Sequence, residues 1–291
     1  ALLSNRIELL QQGQTLGGNL LRFQEGTGAG SPGIGRYAIE IAVGEQSLRQ
    51  RREGNAADAL VGERRQQRRL DTAVEHAVAR LVDDAGRTEL ARAIFGADPI
   101  DGGTLKLNGN VTVIKDIPDA IKQGISYLTE DRKKEGLALG LSVERNIMLG
   151  NYPEYSDRYG NVDSKRCQKT SEEQVKALRI KTPHLEQAAL NLSGGNQQKI
   201  IIARWVCKDT DILIFDEPTR GIDVGAKLEI YELMNRLVAK GKSIIMISSE
   251  LPEVLGMCDR ILVMRNGRIT GELASDDATQ EKIMQYATLE D

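Results

Sequence analysis

Histidine, cysteine and aromatic side chains are all scarce in this chain of 291 residues. Two histidines, His76 and His184, and three cysteines, Cys167, Cys207 and Cys258, stand far apart with no paired spacing. That argues against a zinc centre or a disulfide framework and for buried reduced thiols. An excess of one charge is also lacking. The 39 Lys and Arg against 42 Asp and Glu leave a net charge of −3, with no basic surplus for nucleic acid and no acidic tail for a charged partner. Long apolar runs are missing too, since stretches such as residues 200–203 and 212–215 are far too short to span a bilayer. No arginine-led hydrophobic segment opens the chain. A cytoplasmic location is therefore expected, with any membrane connection made through a partner. The length suffices to bury a substantial core, as one large domain or two small ones.

Lysine is absent from one region altogether. Residues 1–84 hold eleven arginines and no lysine, whereas residues 85–291 hold thirteen arginines and fifteen lysines. The early region also has a glycine-rich patch at 26–35 and an arginine-glutamine run at 64–69, and the latter is best read as a solvated face. Apolar periodicity there is confined to about residues 73–82. Residues 1–84 are expected to be an atypical, poorly ordered stretch, with 1–70 largely unstructured. A frameshifted remnant of what should precede the ordered part is the other reading of the lysine gap.

From residue 85 onward strands and helices alternate. Residues 88–95, 117–123, 164–178, 197–206 and 224–239 carry helical patterns, the last with Ile230, Tyr231, Met234, Leu237 and Val238 on one face. Residues 104–107, 125–128, 212–215, 243–247 and 260–264 are short β-favouring runs, with Asn108-Gly109 and Asn266-Gly267 as turns. This order predicts an α/β domain with a mostly parallel sheet.

Two motifs carry chemistry. In Leu192-Ser193-Gly194-Gly195-Asn196-Gln197-Gln198-Lys199, a serine and two glycines open a helix. Unpaired backbone N–H groups and the helix dipole make such a turn able to hold a phosphate, and glycine lets the anion approach the backbone. Further on, Asp211-Ile-Leu-Ile-Phe-Asp216-Glu217 puts two adjacent acids at the carboxyl end of a buried strand, the end that faces the ligand crevice in open α/β sheets. Asp216 is suited to hold Mg²⁺, and Glu217 to polarise a water for in-line attack on a γ-phosphate. Pro218-Thr219-Arg220-Gly221-Ile222-Asp223 then forms a polar turn into the next helix.

The order and wording of these segments resemble the ABC ATPases, with signature motif, Walker B strand and D-loop in sequence from about residue 85 to 273. The wordings Thr129-Glu130-Asp131-Arg132-Lys133, Leu192 to Lys199, Glu217 to Ala226 and Ser248-Ser249-Glu250 are similar to the second cassette of tandem ATPases serving ribose, xylose, galactose and related sugars. The resemblance implies a P-loop NTPase-like nucleotide-binding domain over 85–273, with a helical subdomain at about 140–200 and a carboxy-terminal helix or tail over 274–291. It implies ATP and Mg²⁺ as cofactors, with Thr88 beside Asp216 as metal ligand. It further implies two cassettes that sandwich ATP head to tail, docked peripherally on the cytoplasmic face of the membrane against a permease and, indirectly, a sugar-binding protein. By that resemblance Ser193, Gly194, Gly195 and Asn196 would hold the nucleotide of the opposite cassette, and Asp223 would cross the seam. Glu217 and Asp216 would be catalytic at this cassette's own site, and Thr129, Glu130 and Ser249 would occupy the switch positions.

Some positions depart from the family pattern. The phosphate loop is expected at Ala85-Gly86-Arg87-Thr88-Glu89, with Arg87 in the lysine position, as is usual in these second cassettes, and Thr88 as the Mg²⁺ hydroxyl. Asp83 and Asp84 stand where glycines belong, and two carboxylates there would repel a triphosphate. Thr129-Glu130 replace the expected glutamine, Ser249 replaces the switch histidine, and Tyr37 is a conceivable adenine platform. Two readings follow: an ATPase subunit powering sugar import, slow at its own site, or a catalytically degenerate cassette that only completes another's ATP site. A DNA- or ribosome-directed ABC protein is disfavoured by the charge balance.

Overall fold

The computed structural model describes residues 86–100, 103–108 and 110–288, together with three earlier strand backbones. Those strands are β1 (Leu21–Glu25), β2 (Tyr37–Ile41) and β3 (His76–Ala79). They fall within the stretch expected to be poorly ordered; its remaining residues, including Asp83 and Asp84, lie outside the described ones. After them come α1 (Arg87–Ile94), β4 (Gly103–Leu107), β5 (Asn110–Thr112), α2 (Ile117–Lys122) and β6 (Ile125–Leu128). Helices α3 (Val143–Met148), α4 (Ser164–Ala177) and α5 (Gly194–Lys208) follow without an intervening strand. The chain ends with β7 (Ile212–Asp216), α6 (Val224–Ala239), β8 (Ser243–Ser248), α7 (Leu251–Met257), β9 (Arg260–Arg265), β10 (Arg268–Ala274) and α8 (Gln280–Thr288).

Six strands form the main sheet in the order β10-β9-β3-β8-β7-β6. All its neighbours run parallel except β9 and β10, which are joined by the left-handed pair Asn266 (φ 49) and Gly267 (φ 72), as a tight hairpin needs. A smaller sheet runs β1-β2-β4-β5. The main sheet's parallel crossovers place helices on both faces, and β6, β7 and β8 are accordingly buried at every position rather than alternately. Successive residues of β7 show this: Leu213 and Phe215 enter one cluster with α3, α5 and α6, while Ile212 and Ile214 enter the other with α1 and β4. Asp216, two residues after Ile214, therefore points to the α1 side.

The segment of three successive helices hangs on buried polar contacts as well as apolar ones. Asn146 is fully buried in α3. Its Oδ1 accepts from Ala138 N–H at 2.9 Å, and its Nδ2 donates to the carbonyls of Ala138 (3.0 Å), Leu141 (3.2 Å) and Ser142 (3.0 Å). Arg204 of α5 donates from Nε to the Asn146 carbonyl at 2.8 Å, and burial lowers its guanidinium pKa to about 10. One amide thus fixes the loop entering α3, and α3 is tied to α5, which carries the serine-glycine turn at its start. Asn146→Ala leaves buried backbone groups without partners and should lower stability by about 2–3 kcal/mol, read from urea unfolding midpoints.

Candidate active site

The carboxyl ends of β6, β7 and β8 lie side by side, because Leu128 pairs with Phe215 and Asp216 with Ile247. Thr129-Glu130, Asp216-Glu217 and Ser248-Ser249 therefore emerge on one edge of the sheet. At the start of α1, Gly86 takes a left-handed conformation (φ 80) and turns the chain so that Arg87 and Thr88 face the same edge.

Asp216 is wholly buried. Its Oδ2 accepts from the Tyr127 hydroxyl at 2.7 Å, and Thr88 supplies a second hydrogen bond, while Oδ1 has no hydrogen-bond partner in the protein. Burial pushes this carboxyl above its ordinary value of 3.8, against the opposing pull of Tyr127, Thr88 and the Arg87 guanidinium. Tyr127, buried and beside a carboxylate, is in turn pushed well above the usual phenol value. Glu217 is also buried and sits at φ 47, a left-handed conformation that costs a residue with a Cβ. Its N–H donates to Ile247 O at 2.9 Å, which pins that geometry to β8. Oε2 accepts from Ser249 Oγ at 3.0 Å, and Oε1 has no partner. Burial, then the charges of Asp216 and Glu253, raise the Glu217 carboxyl, while Ser249 opposes them.

A third buried carboxyl, Glu253 of α7, was not singled out by the sequence. Ser248 Oγ donates to one of its oxygens and Thr219 Oγ1 to the other at 3.1 Å. Burial raises it above the ordinary 4.5. The only available signal was an acid next to the buried stripe Leu251, Val254 and Met257, a few residues after the hydroxyl pair Ser248-Ser249.

The serine-glycine turn is built by packing. Ser193 is the N-cap of α5, exposed and extended, and the first intrahelical bond runs from Gln197 N–H to Ser193 O at 2.9 Å. The amides of Gly194, Gly195 and Asn196 precede that bond and have no helical acceptor. Asn196 is committed to the turn: its Nδ2 donates to Ser193 Oγ at 2.9 Å and its Oδ1 accepts from Lys181 N–H at 2.8 Å. A Cβ on Gly195 would lie 2.5 Å from the Ala226 Cβ of α6, and one on Gly194 would lie 2.9 Å from Arg132 Nη2. These glycines thus admit neighbouring protein as well as leaving the turn open to an anion. Asp223 is exposed and serves as N-cap of α6, accepting from Ala226 N–H at 2.9 Å. Glu130 forms an ion pair with Arg220, and Thr129 Oγ1 is buried without a partner.

The sequence-derived residues therefore fall into two groups. Arg87, Thr88, Asp216, Glu217 and Ser249 gather at the ends of β7 and β8, whereas Glu130 and Gly194 meet the turn 219–223. The side chain of Tyr37 and the loop at 81–85 lie outside the described residues. A divalent cation carrying phosphate fits the first group, since Asp216 has an unpartnered buried oxygen next to the Thr88 hydroxyl, a hard oxygen set. Among the described residues no cluster of three or more His, Cys, Asp or Glu gathers as a self-sufficient metal cage, so phosphate and water oxygens would complete the shell.

The fold is that of the ATP-binding cassettes of ABC transporters. Residues 84–220 match the ABC transporter family and belong to it. A nucleotide-free ATP-binding cassette from an ABC transporter superposes with TM-score 0.62 at 19% identity, covering 74% of this chain and 87% of that one. A cassette solved as a dimer in a post-hydrolysis state with ADP and phosphate superposes with TM-score 0.59 at 18% identity, covering 70% and 86%. In sequence the chain is similar to a ribose/galactose/methyl galactoside import ATP-binding protein of Burkholderia ambifaria, 57% identical over 204 residues. The ribose import ATP-binding protein of Clostridium perfringens is 56% identical over 203 residues. Each match covers 70% of this chain and 40% of the relative, so the chain spans less than half the length of the curated proteins it matches.

The raised Glu217 carboxyl gives a pH signature. Between the ordinary value of 4.5 and the higher folded value, the folded state holds more protons than the unfolded chain, so stability falls as pH rises through that window. Glu217→Gln removes this term. Its melting temperature should exceed that of the wild type by more at neutral pH than at pH values near 4.5, measured by thermal denaturation across the range. A constant difference would refute the raised value. Packing at the glycine turn is testable separately. Gly195→Ala should cost about 1–3 kcal/mol, with part recovered in the double variant carrying Ala226→Gly, as read from denaturant midpoints.

Proposed function

We propose that this chain is the carboxy-terminal cassette of an ATPase that powers import of a simple sugar through a membrane permease, working peripherally on the cytoplasmic face. The observation that carries the reading is the buried pair Asp216-Glu217 at the end of β7, with Thr88 on one carboxyl and Ser249 on the other. The similarity to sugar-import ATP-binding proteins supports the substrate class.

ATP and Mg²⁺ are the cofactors of this reading. Thr88 and Asp216 would hold the cation, which when bound neutralises charge on the phosphates. Glu217 presents Oε1, its oxygen without a protein partner, and Ser249 fixes the opposite oxygen. A buried carboxylate with a raised pKa is a stronger base than an exposed one, which suits it to take a proton from an attacking water. Ser249 orients Glu217 but has no imidazole to titrate, so turnover at this cassette's own site is expected to be slow. The other half of the chemistry is offered to a second cassette. The Ser193 turn, through the amides of Gly194, Gly195 and Asn196, can donate to a γ-phosphate but cannot hold adenine, ribose and cation, which a partner's phosphate loop must supply.

A donor to a charged phosphate contributes about 1.5–3 kcal/mol, or roughly ten- to a hundredfold. Ser193→Arg should therefore cut ATP hydrolysis at least about tenfold when the chain is assembled with a competent first cassette and permease. The same change should leave the melting temperature of the lone chain nearly unchanged, because Ser193 is exposed. Equal hydrolysis rates with wild type and variant would overturn the composite-site reading.

A further inference from the structure

The segment after β6 makes a contact that the proposed chemistry does not use. Asp131 accepts from Lys133 N–H and Lys134 N–H, both at 3.1 Å, and thereby shapes the turn Arg132–Gly136. From that turn Arg132 reaches the polar loop after β7, donating from Nη1 to Arg220 O at 2.8 Å and from Nη2 to Gly221 O at 3.2 Å. Arg220 returns an ion pair to Glu130, so the two loops are cross-linked in both directions. Gly221 lies at φ 67, which aims successive carbonyls at one guanidinium. The same guanidinium borders the first residue of α5: a Cβ on Gly194 would stand 2.9 Å from Arg132 Nη2 and 3.3 Å from Gly221 O.

A cation beside a helix amino terminus opposes the helix dipole. Helix stability therefore does not explain why Arg132 is there. What it gains is a planar fork on two carbonyls, a geometry that an ammonium cannot reproduce. The turn 219–223 in turn supplies Asp223 as the cap of α6, on whose Ala226 Gly195 is seated.

We propose that Arg132 is a positioning residue: its two-pronged hold on Arg220 O and Gly221 O locks the loop after β7 to the segment after β6, and the guanidinium so held packs against the Ser193–Gly195 turn at Gly194. The three loops then shift together, so a displacement of the β6 segment reaches the donors offered to the partner's phosphate. The consequence for ATP rests on the composite-site reading above, whereas the lock itself is a property of this chain alone.

The test is hydrogen–deuterium exchange on the full chain without nucleotide, comparing wild type with Arg132→Lys, Arg132→Met and, as a control in the same loop, Lys133→Ala. Loss of the fork should speed exchange about tenfold in both Arg132 variants at Gln197, Arg220 and Ile222, the hydrogen-bonded amides of the two turns, the effect expected of losing charge-assisted bonds to carbonyls. Exchange in β7 and β8, the melting temperature and the Lys133→Ala variant should match wild type. Unchanged exchange in both turns overturns the proposal. So does full rescue by Arg132→Lys, which would make a point charge sufficient, and so does uniform acceleration with a lower melting temperature, which would make Arg132 a general stabiliser. Failure of the chain to support ATP hydrolysis in an assembly would count against the function proposed above and leave these exchange outcomes decisive for the lock.

Discussion

Two adjacent carboxyl groups buried at the end of one strand are the constraint around which the rest of this structure is arranged. Asp216 and Glu217 are taken out of water with less than a full set of partners, which costs free energy that the surroundings must offset. The offsets come from different elements: Tyr127 from β6, Thr88 from α1, the Ile247 carbonyl from β8 and Ser249 just beyond it. That set is available only because β6, β7 and β8 run parallel and end level with one another. The apolar run Ile212 to Phe215, buried on both faces, holds the strand so firmly that a left-handed glutamate can persist at its end. Core packing and site strain are thus one arrangement.

The loops beyond that edge follow from the same geometry. After Glu217 the chain turns through Thr219, whose hydroxyl meets Glu253, and then through Gly221 into the cap at Asp223. Glu253 also accepts from Ser248, so one buried carboxyl spans the exits of β7 and β8. The serine-glycine turn has no buried carboxyl of that kind; Asn196 holds it to the Lys181 amide. Its position is taken from α6 through Gly195 against Ala226 and from Arg132 beside Gly194. Small residues at those points serve close approach of protein to protein, and the outward amides are a consequence of where α5 is allowed to begin.

Much of the fold was legible in the sequence because its signals are local. The helix at Val224–Ala239 and the strand at Ile125–Leu128 follow directly from period and composition. The buried face of the former includes Leu233, however, while Tyr231 and Val238 are only partly buried. Helices α3 and α7 were missed: they have six and seven residues, too few turns for periodicity to show, and they are held by tertiary contacts such as those of Asn146. β2 was missed although Tyr37, Ile39 and Ile41 alternate with Ala38 and Glu40, because the arginine-rich setting suggested disorder. Within the site, Asp216, Glu217 and Ser193–Gly195 were visible because motif spacing is itself a local signal. Glu253 and Arg132 were not, since each acts across 34 or 88 positions of chain, on Thr219 and Arg220, and only the sheet brings those segments together.

Ser249 shows what a substitution at such a site can preserve. An imidazole would offer a titrating group and a longer reach; a serine hydroxyl offers one neutral donor close to the backbone. Here that donor fixes Glu217 Oε2 and leaves Oε1 without a protein partner, so the orienting half of the role survives and the titrating half does not. Burial meanwhile raises the basicity of the carboxylate, the charges of Asp216 and Glu253 add to it, and the Arg87 charge opposes it. Orientation and basicity are therefore supplied by different agents, the hydroxyl and the desolvation. A change at position 249 that removes the hydroxyl would free the carboxyl's orientation and also lift its pKa further, since the Ser249 hydrogen bond holds it down, so a variant there should be judged both by rate at saturating nucleotide and by the pH at which the carboxyl titrates.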